Sequence, residues 1–374
     1  MENKKIAMII GTKAELIKCA PLMLELQNQN KDYWFNHTGQ HKLGDACEEF
    51  GIKKPDYVLS KEPTKSTKFW SKINGNSIFW CFSMIFKIKK LITKLKPSYI
   101  IYHGDTMSSS VAAISSSKLF NINKTWKNVH LEAGLRSGNT IKSLFEPFPE
   151  EISRRICDWF SDILFSVSDL TNKRLLKRFG NKKEIVQVGN TIIESTTLMF
   201  GKVMGKEISL PQEYALINIH RHENLKSRKR MRKIVNIIKN ISIPIIFPLH
   251  DNTKRFLETY ELMGELENMK NIEIVPLMDY SEFIFLIANC KYILTDGGSI
   301  QEESIVFKKP CILLRKLTER QEGVEIGINF LTKLDENYAK EVIEKIEKNQ
   351  IKIKEFKNPY GSIGVSQKIV EILK

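Results

Sequence analysis

The chain has no C-x-x-C pair and no cysteine–histidine grouping with metal-ligand spacing, although it carries Cys19, Cys47, Cys81, Cys157, Cys290 and Cys311. That pattern argues against a structural metal and points to free thiols in a reducing, cytoplasmic setting. It also has no long apolar run. The most hydrophobic window, IFWCFSMIF at 78–86, is far short of the roughly 20 residues that cross a bilayer. It leads into Lys87, Lys89 and Lys90 and reads as a core helix with a solvated basic end, so no stable membrane insertion is expected. The opening MENKKIAMIIG passes straight from charge into a short apolar run, which suits a first strand and not a secretory leader. Acidic residues are in deficit, 43 against 58 Lys and Arg, for a net charge of +15. The excess is mostly lysine spread along the chain. Only KSRKRMRK at 226–233 is a true basic cluster, and it fits an exposed helix face. Nucleic acid is therefore not the expected partner. A positive field that draws in anionic substrates is the more useful reading.

What is present is alternation. Short apolar runs at 6–10, 33–36, 99–102, 128–131, 163–167, 185–188, 214–219, 243–248, 272–276, 292–295 and 311–314 are separated by helix-like segments. That predicts an α/β protein with parallel sheets. A length of 374 residues suits two domains. The first is expected over 1–186 and the second over 191–355, with a C-terminal helix at about 360–374 packing back on the first. Both would be Rossmann-like and face each other across a cleft. Polar residues follow the strand-like runs repeatedly: Lys13 and Glu15, His37 to His41, His103 to Asp105, Glu132 and Arg136, His220 and Arg221, His250, Asp296 to Ser299, then Arg315 with Thr318, Glu319 and Arg320. All seven histidines lie at or beside such ends. Ligands of open α/β sheets bind at the carboxyl ends of strands.

Two segments carry most of the chemistry. The stretch 129–155, VHLEAGLRSGNTIKSLFEPFPEEISRR, combines a strand end, a carboxylate, an arginine, a glycine loop and a paired acid. Pro149 suits a first helical position, and Glu150 and Glu151 suit the first turn. Ile152, Ile156, Trp159 and Phe160 then predict one apolar stripe. The second segment is TDGGSIQEES at 295–304. Gly297 and Gly298 allow close backbone approach to an anion, and a helix is expected to start directly after them.

The motifs GTKAELIKCAP, HTGQH, HGDT, HLEAGLRSG, PFPEE, HRHEN, TDGGSIQEE, LTER and NPYG occur in that order over nearly the whole chain. Together they resemble the non-hydrolysing UDP-N-acetylglucosamine 2-epimerase family. The resemblance implies a glycosyltransferase-B-like fold, a homodimer and no cofactor. It implies loss of UDP from C1 while a base takes the C2 proton, giving a 2-acetamidoglucal to which UDP re-adds. On matching motifs, Asp105, Glu132, Glu150 and His220 form the catalytic set. Lys13, Arg136, Arg221, Gly297, Gly298, Ser299, Glu303 and Arg320 would hold the UDP-sugar. Gln40 and His41 match a loop that helps form an activator site in bacterial relatives.

The chain departs from the family pattern mainly on the nucleotide side. Lys13-Ala14 stands where Arg-Pro is usual, and Lys loses the bidentate grip of Arg. Asp296-Gly297-Gly298-Ser299 moves a hydroxyl expected at the phosphate two residues along. A proline usual after the His250 position is missing, and the aspartate that normally follows NPYG is absent. Four other readings stay open: a hydrolysing 2-epimerase releasing free N-acetylmannosamine, the same chemistry on a modified UDP-sugar, a non-catalytic UDP-sugar binder, and a glycosyltransferase on the same fold, for which the sequence shows no acceptor groove.

Overall fold

The computed structural model describes residues 5–61, 75–138, 149–205 and 209–373. Residues 139–148, which include the start of the PFPEE motif, lie outside the described residues. The chain divides into two compact units, Met1–Ser195 with Pro359–Lys374, and Thr196–Asn358.

The first unit is built on a parallel sheet of seven strands. These are β1 (Ile6–Ile10), β2 (Tyr33–His37), β3 (Tyr57–Val58), β4 (Tyr99–His103), β5 (Lys127–Ala133), β6 (Ile163–Ser166) and β7 (Glu184–Gln187). Their order across the sheet is β3-β2-β1-β4-β5-β6-β7. The second unit has a parallel sheet of six: β8 (Ala215–Asn218), β9 (Ile245–Pro248), β10 (Ile272–Val275), β11 (Tyr292–Thr295), β12 (Cys311–Leu313) and β13 (Asn329–Leu331). Its order is β10-β9-β8-β11-β12-β13. The central strands read as nearly unbroken apolar runs because helices cover both faces. All five residues of β1 and all four of β8, β9 and β11 are buried. In each sheet the strand order reverses beside one central pair, β1/β4 and β8/β11. Such reversal points are where open α/β sheets take ligands.

A proline inside the first helix ties the first unit together. Helix Lys13–Asn28 contains Pro21, which has no N–H to give to the Ile17 carbonyl. That carbonyl instead accepts from Ser195 Oγ at 2.6 Å, and the neighbouring Lys18 carbonyl accepts from Thr191 Oγ1 at 2.5 Å. Helix Val365–Ile372 packs on the same helix. Its start is held by Glu194, whose carboxylate accepts from the backbone N–H of Gly364 at 2.8 Å and of Ser366 at 3.1 Å.

Two helical expectations are corrected. Helix Glu150–Phe160 forms, with Pro149 as its N-cap and not its first residue, but the predicted apolar stripe is not its buried face. Glu151, Ser153, Arg154, Cys157 and Asp158 are buried, while Ile152, Ile156 and Phe160 are half-buried and Trp159 is 60% exposed. Ion pairs and hydrogen bonds, described below, outweigh the apolar face. Helix Gly75–Leu95 is only in part a core helix. Met84, Ile85, Ile88 and Ile92 are buried, whereas Ile78, Phe79, Phe82 and Phe86 lie largely open to solvent. The basic cluster does lie on an outward face. Helix Arg228–Ile238 buries Met231, Ile234, Val235, Ile237 and Ile238 and turns its cations outward.

Candidate active site

The first unit places its acids around the β1/β4 reversal point. Asp105 follows β4 directly, and its carboxylate is ion-paired with Arg154 Nη2 while 27% of its side chain stays exposed. Arg154 is itself buried and aimed by Glu151, at 3.3 Å, and by Ser137 Oγ at 3.4 Å. Glu151 is fully buried; it also accepts from the Ser137 N–H at 3.2 Å and from Arg155 Nε at 3.1 Å. Within the Glu150–Glu151 pair, Glu151 is thus the structural member. Glu150 opens the helix half-buried.

Glu15 links the loops after β1 and β4. Its carboxylate accepts from Gly11 N at 2.9 Å and Thr12 Oγ1 at 3.0 Å on one side. On the other it accepts from Thr106 Oγ1 at 2.7 Å and Ser109 Oγ at 2.6 Å. Burial pushes its pKa up, against those four donors.

Glu132 sits in a kink of β5. The pairing with β6 shifts register between Leu131 and Ala133, and Glu132 takes φ +64. A bulge of this kind re-aims one side chain. A left-handed non-glycine residue costs on the order of 1–3 kcal/mol and persists where its surroundings hold it. The Glu132 carboxylate pairs with Lys18 and lies 3.4 Å from both His103 Nε2 and Asn190 Nδ2. Burial holds His103 neutral, with a pKa near 3, despite the adjacent Glu132.

The remaining predicted residues of this unit fall into three situations. Arg136 is buried, ion-paired with Asp158 and 3.8 Å from Glu151, so its guanidinium already has anionic partners. Lys13 is half-buried at the start of its helix. Gln40 is buried, and its amide oxygen accepts from Ser108 N at 3.0 Å and Ser108 Oγ at 2.6 Å, whereas His41 beside it is exposed.

The second unit gathers histidines and guanidinium groups at the β8/β11 reversal point. Buried Asp296, just past β11, accepts from the backbone N–H of His220 at 2.9 Å and of Arg221 at 3.1 Å, and from Asn224 Nδ2 at 3.0 Å. It thereby fixes the turn after β8. Asn218 faces two imidazoles: its Oδ1 is 2.8 Å from His220 Nδ1, and its Nδ2 is 3.4 Å from His250 Nε2. The carbonyl oxygen can only accept, so His220 carries its proton on Nδ1 and turns Nε2 outward as an acceptor. The two rings lie 5.0 Å apart between centroids. Burial and the Arg221 charge push His220 below its ordinary pKa, and burial together with His220 does the same to His250. Some 40% of the His220 side chain remains exposed.

Next to these lies a cationic cluster that a single carboxylate organises. Glu319 is fully buried, 2.5 Å from Arg320 Nη1, 2.9 Å from Arg315 Nη2 and 3.8 Å from Arg221 Nη2. Arg320 also pairs with Glu302 at 2.8 Å, and Arg221 with Glu223 at 3.4 Å. Gly298 is at the centre. A Cβ there would stand 3.1 Å from Arg320 Nη1, 3.3 Å from Glu319 Oε1 and 3.4 Å from Arg221 Nη2. Gly297 is similarly crowded, with His220 Cε1 at 3.3 Å. Neither glycine has a positive φ, so space and not backbone freedom is the reason for them. Ser299 and helix Ile300–Val306 follow. The Gln301 side chain bridges from the Gly297 carbonyl, at 2.9 Å, to Thr318 Oγ1, at 2.7 Å, which fastens the turn to the LTER loop. Glu303 is buried and accepts from Tyr280 OH at 3.0 Å.

A family model described as UDP-N-acetylglucosamine 2-epimerase matches residues 24–374. The chain belongs to the UDP-N-acetylglucosamine 2-epimerase family. It is 33% identical to the UDP-N-acetylglucosamine 2-epimerase of Methanocaldococcus jannaschii, over 99% of this chain and 98% of that one. It is 31% identical to the UDP-2,3-diacetamido-2,3-dideoxy-D-glucuronate 2-epimerase of Pseudomonas aeruginosa, over 87% of this chain and 88% of that one. A crystal structure of the Methanocaldococcus jannaschii UDP-GlcNAc 2-epimerase in complex with UDP-GlcNAc and UDP superposes with a TM-score of 0.83 at 32% identity, covering 98% of this chain and 99% of that one. This member of the epimerase family is therefore an enzyme, with the α/β, glycosyltransferase-B-like fold expected of it. Among the described residues no helix is long and apolar enough to cross a membrane.

Several site residues were not singled out from the sequence. Lys18, Arg154 and Asn218 each touch a predicted residue, namely Glu132, Asp105 and His220. Arg154 and Glu151 carry one available signal, since a four-residue polar repeat on an otherwise apolar helix marks a buried charged face. Glu319 and Arg320 stood together in LTER, but nothing in the chain itself pairs them with Gly298.

Proposed function

We propose that this enzyme interconverts UDP-N-acetylglucosamine and UDP-N-acetylmannosamine by elimination and re-addition of UDP. A carboxylate takes the C2 proton as the C1–O bond to the diphosphate breaks, leaving 2-acetamidoglucal and UDP. Return of UDP to C1, with a proton delivered to the other face of C2, gives the epimer. Such proton transfers need groups on both faces of the ring. Asp105 and Glu150 take these roles, and Glu132 supports them. The observation that carries this reading is Asp105 itself: a partly open carboxylate at a strand end, gripped by a buried arginine. It is held as a base in a defined orientation, which a solvated loop acid is not.

The second unit serves the leaving group. Arg221 and Arg320 around Gly298 face the diphosphate, and the backbone of Gly297, Gly298 and Ser299 approaches it closely. Glu303 serves the ribose, and Lys13 adds a cation. Burial and the Arg221 charge hold the His220 pKa down to about 4, so the imidazole is neutral at pH 7. A diphosphate beside its outward Nε2 favours the protonated form, so His220 can donate to the departing oxygen.

The sugar carries one specific alternative. A relative acting on a diacetamido uronate derivative is nearly as similar as those acting on UDP-N-acetylglucosamine, so the same chemistry on a modified UDP-sugar is the second reading. Incubation with UDP-N-acetylglucosamine in D2O, followed by NMR, tests the proposal. UDP-N-acetylmannosamine with deuterium at C2 is the expected product. Free N-acetylmannosamine with UDP would mean hydrolysis. No exchange in this substrate, with exchange in a diacetamido uronate analogue, would move the assignment to the second reading.

A further inference from the structure

Behind Asp105 lies a fully buried charged cluster that the mechanism above does not use. His130, on β5, has both ring nitrogens facing oxygen: Nδ1 is 2.7 Å from Asp158 Oδ1, and Nε2 is 2.8 Å from the Gly104 carbonyl. A carbonyl accepts and never donates. A neutral imidazole has one N–H, so it would set a lone pair against one of these two oxygens unless Asp158 were protonated. Asp158 is ion-paired with Arg136. Burial works against its charge, but the Arg136 guanidinium beside it holds its pKa down, to about 2. Both hydrogen bonds exist together only if His130 is an imidazolium. Arg136 stands across Asp158 from it, and two further titratable groups near it are on β4: His103, kept neutral by burial, and Tyr102, whose ring centroid is 5.9 Å away. Neither supplies a competing acceptor charge.

The Gly104 carbonyl belongs to the peptide bond that joins it to Asp105. Gly104 turns the chain at φ +70, and its N–H donates to the Leu131 carbonyl at 3.0 Å. Consecutive residues of β5 thus pin both polar groups of Gly104. The plane of the next peptide, and with it the direction in which Asp105 leaves the backbone, is set by the bond from His130. Arg154 holds the far end, the carboxylate.

We propose that His130, held as an imidazolium by Asp158, is a positioning residue for the Asp105 carboxylate. The proposal rests on Asp105 being a proton-transfer group, and its first test does not depend on that. In the 15N-histidine-labelled wild-type enzyme at pH 8, one of the seven histidines shows both ring nitrogens protonated, and His130→Asn removes that signal. A spectrum with every histidine singly protonated at pH 8 overturns the inference, whatever the reaction proves to be. The second test is kinetic. Asp158→Asn takes away the second proton of His130 and loosens the Gly104–Asp105 peptide, while UDP affinity stays within about twofold. C2 deuterium exchange then slows by up to about 100-fold, the scale of small misplacements in proton-transfer sites. An Asp158→Asn enzyme that binds UDP and exchanges at the wild-type rate would also overturn it. If Asp158→Asn does not fold, the wild-type spectrum alone decides.

Discussion

Replacing Glu319 by Gln keeps its shape and removes the one charge that three guanidinium groups share. Removing one partner of a buried ion pair costs about 3–5 kcal/mol, because the other charge stays buried without compensation. Two of the three arginines keep a second carboxylate: Arg320 has Glu302 at 2.8 Å, and Arg221 has Glu223 at 3.4 Å. Arg315, buried and 2.9 Å from Glu319, takes most of the loss. The expected cost is therefore at the low end, about 3 kcal/mol. At about 2–4 °C per kcal/mol for a domain of this size, the second unit should melt about 6–12 °C lower. UDP changes the comparison. The variant cluster carries one more net positive charge, so a diphosphate replaces part of what Glu319 supplied. Saturating UDP should then raise the melting temperature of Glu319→Gln by more than it raises that of the wild type. Thermal unfolding followed by circular dichroism, with and without UDP, measures both. An unchanged melting temperature would refute the role of Glu319 as organiser of the cluster. A variant that UDP no longer stabilises would instead make Glu319 a nucleotide contact.

Three further perturbations follow from the same geometry. Arg154→Met should lower C2 exchange by about 100-fold through loss of orientation, while calorimetry shows UDP affinity unchanged. Gly298→Ala should weaken UDP by about tenfold, or about 1.4 kcal/mol by calorimetry, since its Cβ would press on Arg320, Glu319 and Arg221. The buried, neutral His103 sets a pH dependence. Its pKa falls to about 3 in the fold but is about 6.5 unfolded, so the unfolded chain takes up the proton first. Its stabilising contribution is complete above pH 6.5 and is lost as pH falls through the window toward 3, by up to about 1.4 kcal/mol per pH unit. Urea unfolding at pH 7 and pH 5 should show a smaller loss in His103→Gln than in the wild type.

Much of the fold is legible because its strands are buried on both faces. Runs such as IAMII and YILT cannot sit on a surface, and they coincide with β1 and β11. The edge strands β3 and β13 were missed. They have two and three residues, and YV or NFL shows no alternation or run long enough to separate a strand from a loop. Helix Glu150–Phe160 misled for the opposite reason. Its stripe of Ile152, Ile156 and Trp159 satisfies the helical period, yet Glu151, Arg154 and Asp158 are buried because their partners Asp105, Arg136 and His130 come from β5 and from the loops after β4 and β5. Periodicity reports local amphipathicity and carries nothing about distant partners. Asp105, His220 and Gly298 were picked out as candidates because they stand at strand ends. Lys18 was not, because what marks it is a contact with Glu132 across more than one element.

The central claim is that Asp105 moves the C2 proton and does not bind the nucleotide. Its most direct test is the rate of deuterium entry at C2 of UDP-N-acetylglucosamine in D2O, measured for the wild type and for Asp105→Asn beside their UDP dissociation constants. The account predicts exchange in the wild type, none above background in the variant, and equal UDP affinity in both. Exchange that survives in Asp105→Asn, or exchange and UDP binding lost together, would contradict it.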